Sequence, residues 1–170
     1  MLPWILAASF CLIGLIPLLF WTAARWSKRR FQAEEQRAQA EFRLARERLE
    51  AKFFDLAARS GKPRGLRWVE VDFLDDQVCF ARDRMNGMLA AFMGVNISFE
   101  AIEGGDMEDV AAVSNIRDAV ALFHYDGQNW GTGGKALFNV NPRQALDRFH
   151  QQFAPLASLS LATERVSQAD

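Results

Sequence analysis

The chain begins with a long run of hydrophobic positions that no charged residue interrupts. From Leu2 to Ala24 there is no Lys, Arg, Asp or Glu. As an α-helix these 23 residues span about 34 Å, which covers a hydrocarbon core of about 30 Å. Tryptophans, whose amphipathic rings favour the headgroup region, stand near both ends of the run: Trp4, Trp21 and Trp26. The pattern predicts a transmembrane anchor over residues 1–26.

Basic residues follow this run and none precedes it. They are Arg25, Lys28, Arg29 and Arg30. Because positive charge stays on the cytoplasmic side, we expect a single-pass protein of the inner membrane, with its amino terminus outside and its carboxy-terminal domain in the cytoplasm. A cleaved signal peptide is the alternative, since Thr22 and Ala24 have suitable size and spacing. The missing basic leader and the length of the run favour a retained anchor.

Residues 27–60 contain no Gly or Pro and are rich in strong helix formers, which predicts a helical stalk. Apolar positions recur at spacings of three, four and seven: Phe31, Ala38, Phe42, Ala45, Leu49, Phe53 and Leu56. A parallel coiled coil would pair two copies through this seam. The interpretation we favour is a solvated stalk to about Ala40, followed by an amphipathic helix that packs on the domain. Gly61 and Pro63 then end the helix.

Alternating apolar and polar positions predict the first strands. Leu66–Leu74 and Gln77–Arg82 show this alternation, and Asp75-Asp76 is expected to turn the chain between them. Asn86-Gly87 predicts a hairpin turn. In the following strand, Leu89 and every second residue to Ala101 form an apolar face. The opposite face begins apolar with Met88, Ala90 and Phe92 and ends polar with Asn96, Ser98 and Glu100. This strand is too long to stay flat, so we expect a bulge or bend at Gly94.

The second half of the domain is predicted to contain two further strands followed by a helix. Ala119–Tyr125 and Ala136–Val140 are predicted strands, and Asn141 is expected to cap a helix from Pro142 to about Phe153. The domain, residues 61–155, is thus predicted as α+β: a curved antiparallel meander of four or five strands packed on a helix. In outline this is cystatin-like or NTF2-like, and an unspecified two-layer α+β domain is the alternative. Residues 156–170 are predicted to form a flexible tail.

The formal net charge is −1, but basic and acidic residues are distributed unevenly along the chain. Residues 1–60 carry ten basic and six acidic side chains, whereas residues 61–170 carry ten basic and fifteen acidic ones. An acidic domain argues against nucleic acid as a partner, because phosphates require a basic face. The basic segment fits anionic lipid headgroups. Cys79 is the only cysteine after the hydrophobic run, so the domain has no internal disulfide.

The sequence offers no catalytic, cofactor-binding or metal-binding residues that we can assign, and no cofactor is predicted. His124 falls on an apolar strand and is expected to pack in the core, while His150 is expected to face solvent. A nucleophilic Cys79–His124 pair is conceivable, but no third orienting group accompanies it. We therefore consider an enzyme uncertain and less favoured than a binding protein.

One loop concentrates carboxylates around Gly104-Gly105. Its acidic residues are Glu103, Asp106, Glu108 and Asp109. We expect this loop to be solvated or to dock a basic partner; a hard cation is the alternative, although the spacing is not that of an EF-hand. Gly133-Gly134-Lys135 lacks the other residues of a phosphate-binding loop and is expected to be part of a hairpin.

Three segments, GKPRGLRWVEVDF, FEAIEGGDMEDV and FHYDGQNWGTGGKALFNVNP, resemble those of an uncharacterised family of small bacterial single-pass membrane-anchored proteins. The likeness covers Gly61 to about Phe149. Because no activity is assigned to that family, it implies no catalytic residues. It implies only that an anchor and a domain of this kind occur together.

Two functions of different classes remain open. The first is a membrane-anchored cytoplasmic binding or scaffold module that docks a protein partner or forms a homodimer through the stalk. The second is a domain that binds a small ligand, or acts as an acid–base enzyme, in a pocket between the helix and the curved sheet. Its candidate groups are Asp72, Glu100, His124 and Tyr125.

Overall fold

The structure is a computed structural model that describes residues 21, 25–26, 29–60, 65–108, 110, 113 and 115–156. The chain divides into two compact units, residues 1–40 and residues 41–170. In the first unit the guanidinium of Arg25 lies 4.8 Å from the centre of the Trp21 ring. Both Trp21 and Trp26 are exposed.

Several predictions concern residues outside this description. They are the anchor Leu2–Ala24 apart from Trp21, the interface residues Trp4 and Lys28, the helix-ending segment 61–64, Asp109, and the tail beyond Leu156. Among the helices that are described, none combines the length and the apolar character needed to cross a bilayer.

Two helical segments precede the sheet, α1 (29–44) and α2 (Arg46–Ser60). Hydrogen bonds continue through the turn between them, from Ala45 N to the Glu41 carbonyl and from Leu49 N to the Ala45 carbonyl. In the second unit the buried apolar positions recur at helical spacing: Phe42, Leu49, Phe53 and Ala57. This stripe faces the sheet, because the rings of Phe42 and Phe53 contact rings of the strands.

The strands form one curved antiparallel sheet, which confirms the predicted α+β class. Their bounds are β1 (Leu66–Asp83), β2 (Leu89–Ala101), β3 (Arg117–Tyr125), β4 (Trp130–Phe138) and β5 (Phe153–Pro155). The spatial order is β4-β3-β2-β1-β5. A third helix, α3 (Pro142–Arg148), lies between β4 and β5 in the chain.

The predicted turn at Asp75-Asp76 is wrong, because β1 is one strand of 18 residues. Phe73 pairs with Val95 and Val78 pairs with Met93, so β1 has three more residues than β2 over this interval. The irregularity predicted at Gly94 therefore lies in the partner strand, and β2 continues unbroken past Gly94. Both halves of β1 pair with β2, and this pairing outweighs the local turn preference of two aspartates.

The two faces of the sheet are covered by different helices. Leu89, Ala91 and the following odd-numbered residues of β2 face α2. Phe92 faces α3 and belongs to a buried cluster on that side. The other members of the cluster are Cys79, Ala81, Ala90, Val120, Leu122, Ala145, Leu146 and Phe153. This division of faces follows the alternation seen in the sequence of β2.

The helix after Asn141 begins as predicted but ends early. Asn141 accepts a hydrogen bond from the Gln144 N–H and the Gln144 side chain accepts one from Asn141 N, which is a complete capping box. The expected continuation to Phe153 is wrong, since α3 stops at Arg148. Phe153 instead begins β5, which pairs with the last three residues of β1. Burying Phe153 against Phe92, with ring centres 5.1 Å apart, outweighs about 1.4 further turns of helix.

The last long strand is also longer than predicted, running over Trp130–Phe138 rather than Ala136–Val140. Ala121 pairs with Ala136 and Phe123 with Thr132, so β4 accommodates two extra residues around Gly134. Gly134 has a positive φ of 70° and lies against the backbone of α2.

On the outer side of the sheet, β5 pairs only with Ala81–Asp83 of β1. Among the described residues, no strand pairs with the rest of that outer edge.

Candidate functional site

The structure does not bring the four predicted pocket residues together. Asp72 lies opposite Asn96 and Glu100 lies opposite Arg67, on the face of the sheet that α3 partly covers. His124 lies on the same face, six residues or about 20 Å along β3 from the row of Asp72. Tyr125 lies on the other face, where its hydroxyl donates a hydrogen bond to the Glu41 carboxylate at 2.9 Å.

Aromatic rings fill the space between α2 and the sheet, where the pocket was expected. The ring of Phe42 lies 5.4 Å from that of Phe123 and 4.9 Å from that of Trp130, and the ring of Phe53 lies 5.8 Å from that of Phe73. None of the carboxylates proposed for the pocket points into this layer, since Asp72 and Glu100 are on the opposite face.

His124 is half-buried beside Val120 and Leu122, in agreement with a packed histidine. Burial lowers its pKa below the usual value; the Asp83 carboxylate acts in the opposite sense, and Lys135 adds to the lowering. Cys79 lies on the same face, but β2 separates the two residues by about 12 Å between α-carbons. Burial raises the pKa of the Cys79 thiol, with Arg143 opposing this, so the thiol has neither a base beside it nor thiolate character.

Asp83 is a buried carboxylate that the sequence did not single out. It is 8% exposed and accepts hydrogen bonds from Met85 N at 2.8 Å and from the Gln152 side chain at 3.1 Å. The bond from Met85 N is the main reason that its pKa lies below the usual value. Asp83 therefore joins the β1–β2 hairpin to the turn before β5, which is a structural role.

The acidic loop after β2 is held by its own hydrogen bonds. Gly104 N donates to the Glu108 carboxylate at 2.8 Å, and Gly105 N donates to the Ile102 carbonyl at 2.9 Å. Glu103 and Asp106 are exposed. Within the described part of the chain, no three His, Cys, Asp or Glu residues are arranged to hold a metal ion.

A second acidic surface lies beside this loop, on the face of the sheet that α3 partly covers. We call it the acidic face, and its residues, paired across β1, β2 and β3, are Glu70, Asp72, Asn96, Ser98, Glu100 and Asp118. Arg67 is the one base in these rows, and it forms an ion pair with Glu100. Flanking the face, Ile116 is 63% exposed and Ile102 is 48% exposed. The sequence predicted the polar character of this part of β2 but not that three strands would join it.

Where the acidic face meets α3 there is a cleft of about 650 Å³, which we call the amide cleft. Its polar lining residues are Gln77, Asn96, Asp118, Asn139, Asn141 and Gln144. Gly94 also lines it, and a β-carbon there would lie 2.9 Å from Cβ and Oε1 of Gln77. The bulge in β1 thus carries the Gln77 side chain across Gly94.

Backbone geometry fixes the far wall of the amide cleft. Asn139 has a positive φ of 58°, which Asn tolerates better than most residues. Its N–H donates to the Asp118 carbonyl at 2.9 Å. This bond ties the loop before α3 to β3, so both walls are fixed relative to each other.

Another cleft, of about 500 Å³, lies at the other end of the sheet. Arg48 and Lys52 of α2 line it together with His124 and Asp126. The pKa of Asp126 is lowered by hydrogen bonds from the N–H groups of Asn129 and Gln128 in its own turn. The charges in this cleft are mixed, and Asp126 is already engaged by its turn.

Comparison with known proteins yields no matching family, no matching curated protein and no matching solved structure. The resemblance of the three segments quoted above to an uncharacterised membrane-anchored family gains no support there and stays an expectation. Function must therefore be argued from the surfaces of this chain.

Proposed function

We propose that the protein is a binding or scaffold module, held at the cytoplasmic side of the inner membrane, that docks a basic protein partner. The observation that carries this proposal is the acidic face, a patch of sheet with four exposed carboxylates and a single base, which α3 borders at the amide cleft. A positively charged partner would be steered to it and held in register by complementary charge. The acidic loop extends the patch with Glu103, Asp106 and Glu108. Asp109, which was predicted to belong to the same docking loop, lies outside the described residues.

Exposed apolar residues support a protein partner rather than a small ion. Ile102 and Ile116 flank the acidic residues, and apolar positions rimmed by charges are typical of protein-docking surfaces. We infer a partner segment that presents both basic and apolar side chains.

The anchor and its orientation belong to this proposal. The uncharged run and the basic residues that follow it support a single span with the domain in the cytoplasm. A homodimer through the stalk is the alternative partner arrangement. We also propose that the domain is cystatin-like or NTF2-like in outline, because one helix lies on a curved meander. In this outline α3, on the opposite face of the sheet, is an additional helix.

A ligand-binding function is the second candidate, and the amide cleft favours it. This cleft lies on the α3 side of the sheet rather than between α2 and the sheet. Asp118 is the one ionisable group among its lining residues, so the paired carboxylates of an acid–base enzyme are not assembled there.

Site-specific cross-linking in the membrane tests the docking proposal. A photo-reactive residue replaces Ser98, and cross-linked proteins are identified by mass spectrometry from cells that express the full chain. We expect a partner whose yield falls at least about tenfold when Glu70→Lys and Asp72→Lys are combined, because buried charge contacts contribute about 2 kcal/mol or more.

The matched control combines Asp55→Lys and Asp147→Lys, which change the same charge at exposed positions away from the acidic face. These variants should leave the yield within about twofold. Equal yields from the two double variants, or no partner at Ser98, would contradict the proposal.

A further inference from the structure

The amide cleft presents acceptors and a negative charge without a base of its own. Asp118 is the charged residue among its lining residues, and no Lys or Arg lines it. The carboxylate offers two acceptor oxygens, and Gln77, Asn96 and Asn139 each offer a side-chain carbonyl oxygen. A ligand group that matches this set is cationic and carries several N–H donors.

These side chains are not engaged within the domain. In the described part of the chain, Gln77, Asn96 and Asn139 make no side-chain hydrogen bond, and Asp118 forms no ion pair. Asn141 and Gln144, in the same cleft, differ because they satisfy each other in the capping box of α3. The residues that offer acceptors to a ligand are therefore Gln77, Asn96 and Asp118 on the sheet and Asn139 on the loop between β4 and α3.

The acceptors in the cleft favour a guanidinium over an ammonium group. The cleft of about 650 Å³ lies in the range of small-ligand sites, and the Gln77 side chain lies across Gly94 within it. A guanidinium is flat and presents five N–H donors in a fixed fork, whereas an ammonium is more strongly hydrated and has three. Arginine is also enriched among the residues that dominate protein interfaces.

We infer that the amide cleft receives the guanidinium group of an arginine from the partner, with the Asp118 carboxylate as its counter-ion and Asn96 and Asn139 as acceptors beside it. This inference rests on the proposed docking function and adds an anchoring position to it. The acidic face would then attract the partner, and the cleft would select arginine at one position.

The test uses the full chain in phospholipid nanodiscs, isotopically labelled, with N-acetylarginine amide as the probe. We expect the probe to shift the amide resonance of Gly94 saturably with a Kd in the millimolar range, as befits one group in an open cleft. N-acetylcitrulline amide, which has nearly the same shape but no charge, should bind at least about tenfold more weakly. Equal binding of the two probes, or no saturable shift at Gly94, overturns the inference.

Variants locate the binding. Asp118→Asn should weaken the arginine probe about tenfold or more, whereas Asp147→Asn, an exposed carboxylate on α3, should stay within about twofold. Asn139→Gly removes one acceptor while glycine retains the positive φ, and about a threefold to tenfold loss is expected. Because Asp118 is exposed, its variant should fold, and an otherwise unchanged amide spectrum verifies this. Unchanged binding by Asp118→Asn contradicts the inference.

The two proposals fail separately. If cross-linking at Ser98 depends on Glu70 and Asp72 but the probe does not bind, docking stands and the arginine site is wrong. If the probe binds as expected but no partner is cross-linked, the cleft is a guanidinium site and the docking proposal is wrong.

Discussion

His124 and Asp83 lie near each other, and the protein shifts both of their pKa values downward for different reasons. Burial disfavours the charged imidazolium of His124, whereas hydrogen bonds from backbone N–H groups stabilise the charged carboxylate of Asp83. Each shift makes folding depend on pH over its own range. The range of His124 begins below its ordinary value of 6.5, and that of Asp83 begins below 3.8.

His124 should make the domain less stable in mild acid. Its folded pKa is below the ordinary 6.5, so the unfolded chain binds the proton first as pH falls. The free energy of unfolding should therefore decrease from pH 6.5 downward until the lowered pKa is passed. Asp83 contributes stability above its ordinary 3.8 and loses it only as pH falls through its own lowered pKa.

Urea unfolding of the full chain between pH 7 and pH 5 measures the His124 contribution. His124→Gln should flatten the profile in this range, while His150→Gln, at an exposed histidine, should retain the wild-type slope. A wild-type slope in His124→Gln would show that another group is responsible.

At the scale of elements, Gly134 is a point of close contact between β4 and α2. A β-carbon at this position would lie 2.6 Å from Ala57 N and 2.7 Å from Leu56 Cβ, so the helix backbone itself is in the way. The two extra residues of β4 produce the positive φ that allows this approach.

Gly134→Ala should destabilise the domain by about 3 kcal/mol, combining the cost of a left-handed alanine with displacement of α2. Gly87→Ala is the matched control, since Gly87 has a φ of 74° and no atom within 4 Å of the added carbon. It should cost about 1 kcal/mol. Urea unfolding compares the two; similar losses would show that α2 does not pack on Gly134 as described.

Local patterns were enough to predict many of these elements. The alternation in β2 assigned Leu89 and Phe92 to opposite faces, Asn86-Gly87 marked the hairpin, and Asn141 marked the start of α3. Each of these signals acts over a few residues, so sequence alone carries it.

The wrong predictions concern segments whose structure depends on contacts with residues far away in the chain. Asp75-Asp76 has turn chemistry, yet Arg46 of α2 forms an ion pair with Asp75 and donates to the Phe73 carbonyl at 3.3 Å, which supports a bulge instead. Phe153 fits a helical spacing, yet it pairs with β1. Four or five strands were expected and the described residues form five, but one predicted pair is a single strand and β5 was taken for helix.

The candidate site could be foreseen only in part. The acidic loop is visible in the sequence because its carboxylates are close together in the chain. The acidic face is not, since Asp72, Asn96 and Asp118 come from three strands and meet only through their register. The amide cleft additionally brings Gln77 of β1 together with Gln144 of α3, which are far apart in the chain.

At the scale of the whole chain, the sign of the net charge differs between the first 60 residues and the rest. The first 60 residues have an excess of basic side chains and the remainder an excess of acidic ones. Screening limits such effects to about 8 Å at physiological salt, so each surface acts on what lies directly against it. The basic segment suits anionic headgroups, and the acidic face suits a basic protein.

The proposed orientation predicts the outcome of reporter fusions. A reporter active only in the cytoplasm should be active after Asp170, and one active only outside should be inactive there, because the basic residues after the hydrophobic run stay inside. The outside reporter fused to the amino terminus is the control and should be active. Activity of the outside reporter after Asp170 would reverse the orientation.

The bulges in β1 have a consequence for association between copies of the chain. No described strand pairs with the outer edge of β1 before Ala81, and an edge left open over such a length is a template on which a strand from another copy can pair, the first step towards aggregation. One extra residue between Trp68 and Glu70, and three between Phe73 and Val78, interrupt the ladder. Each remaining stretch is too short to hold a foreign strand firmly. We therefore expect the bulge that carries Gln77 into the amide cleft also to disfavour edge-to-edge pairing between copies.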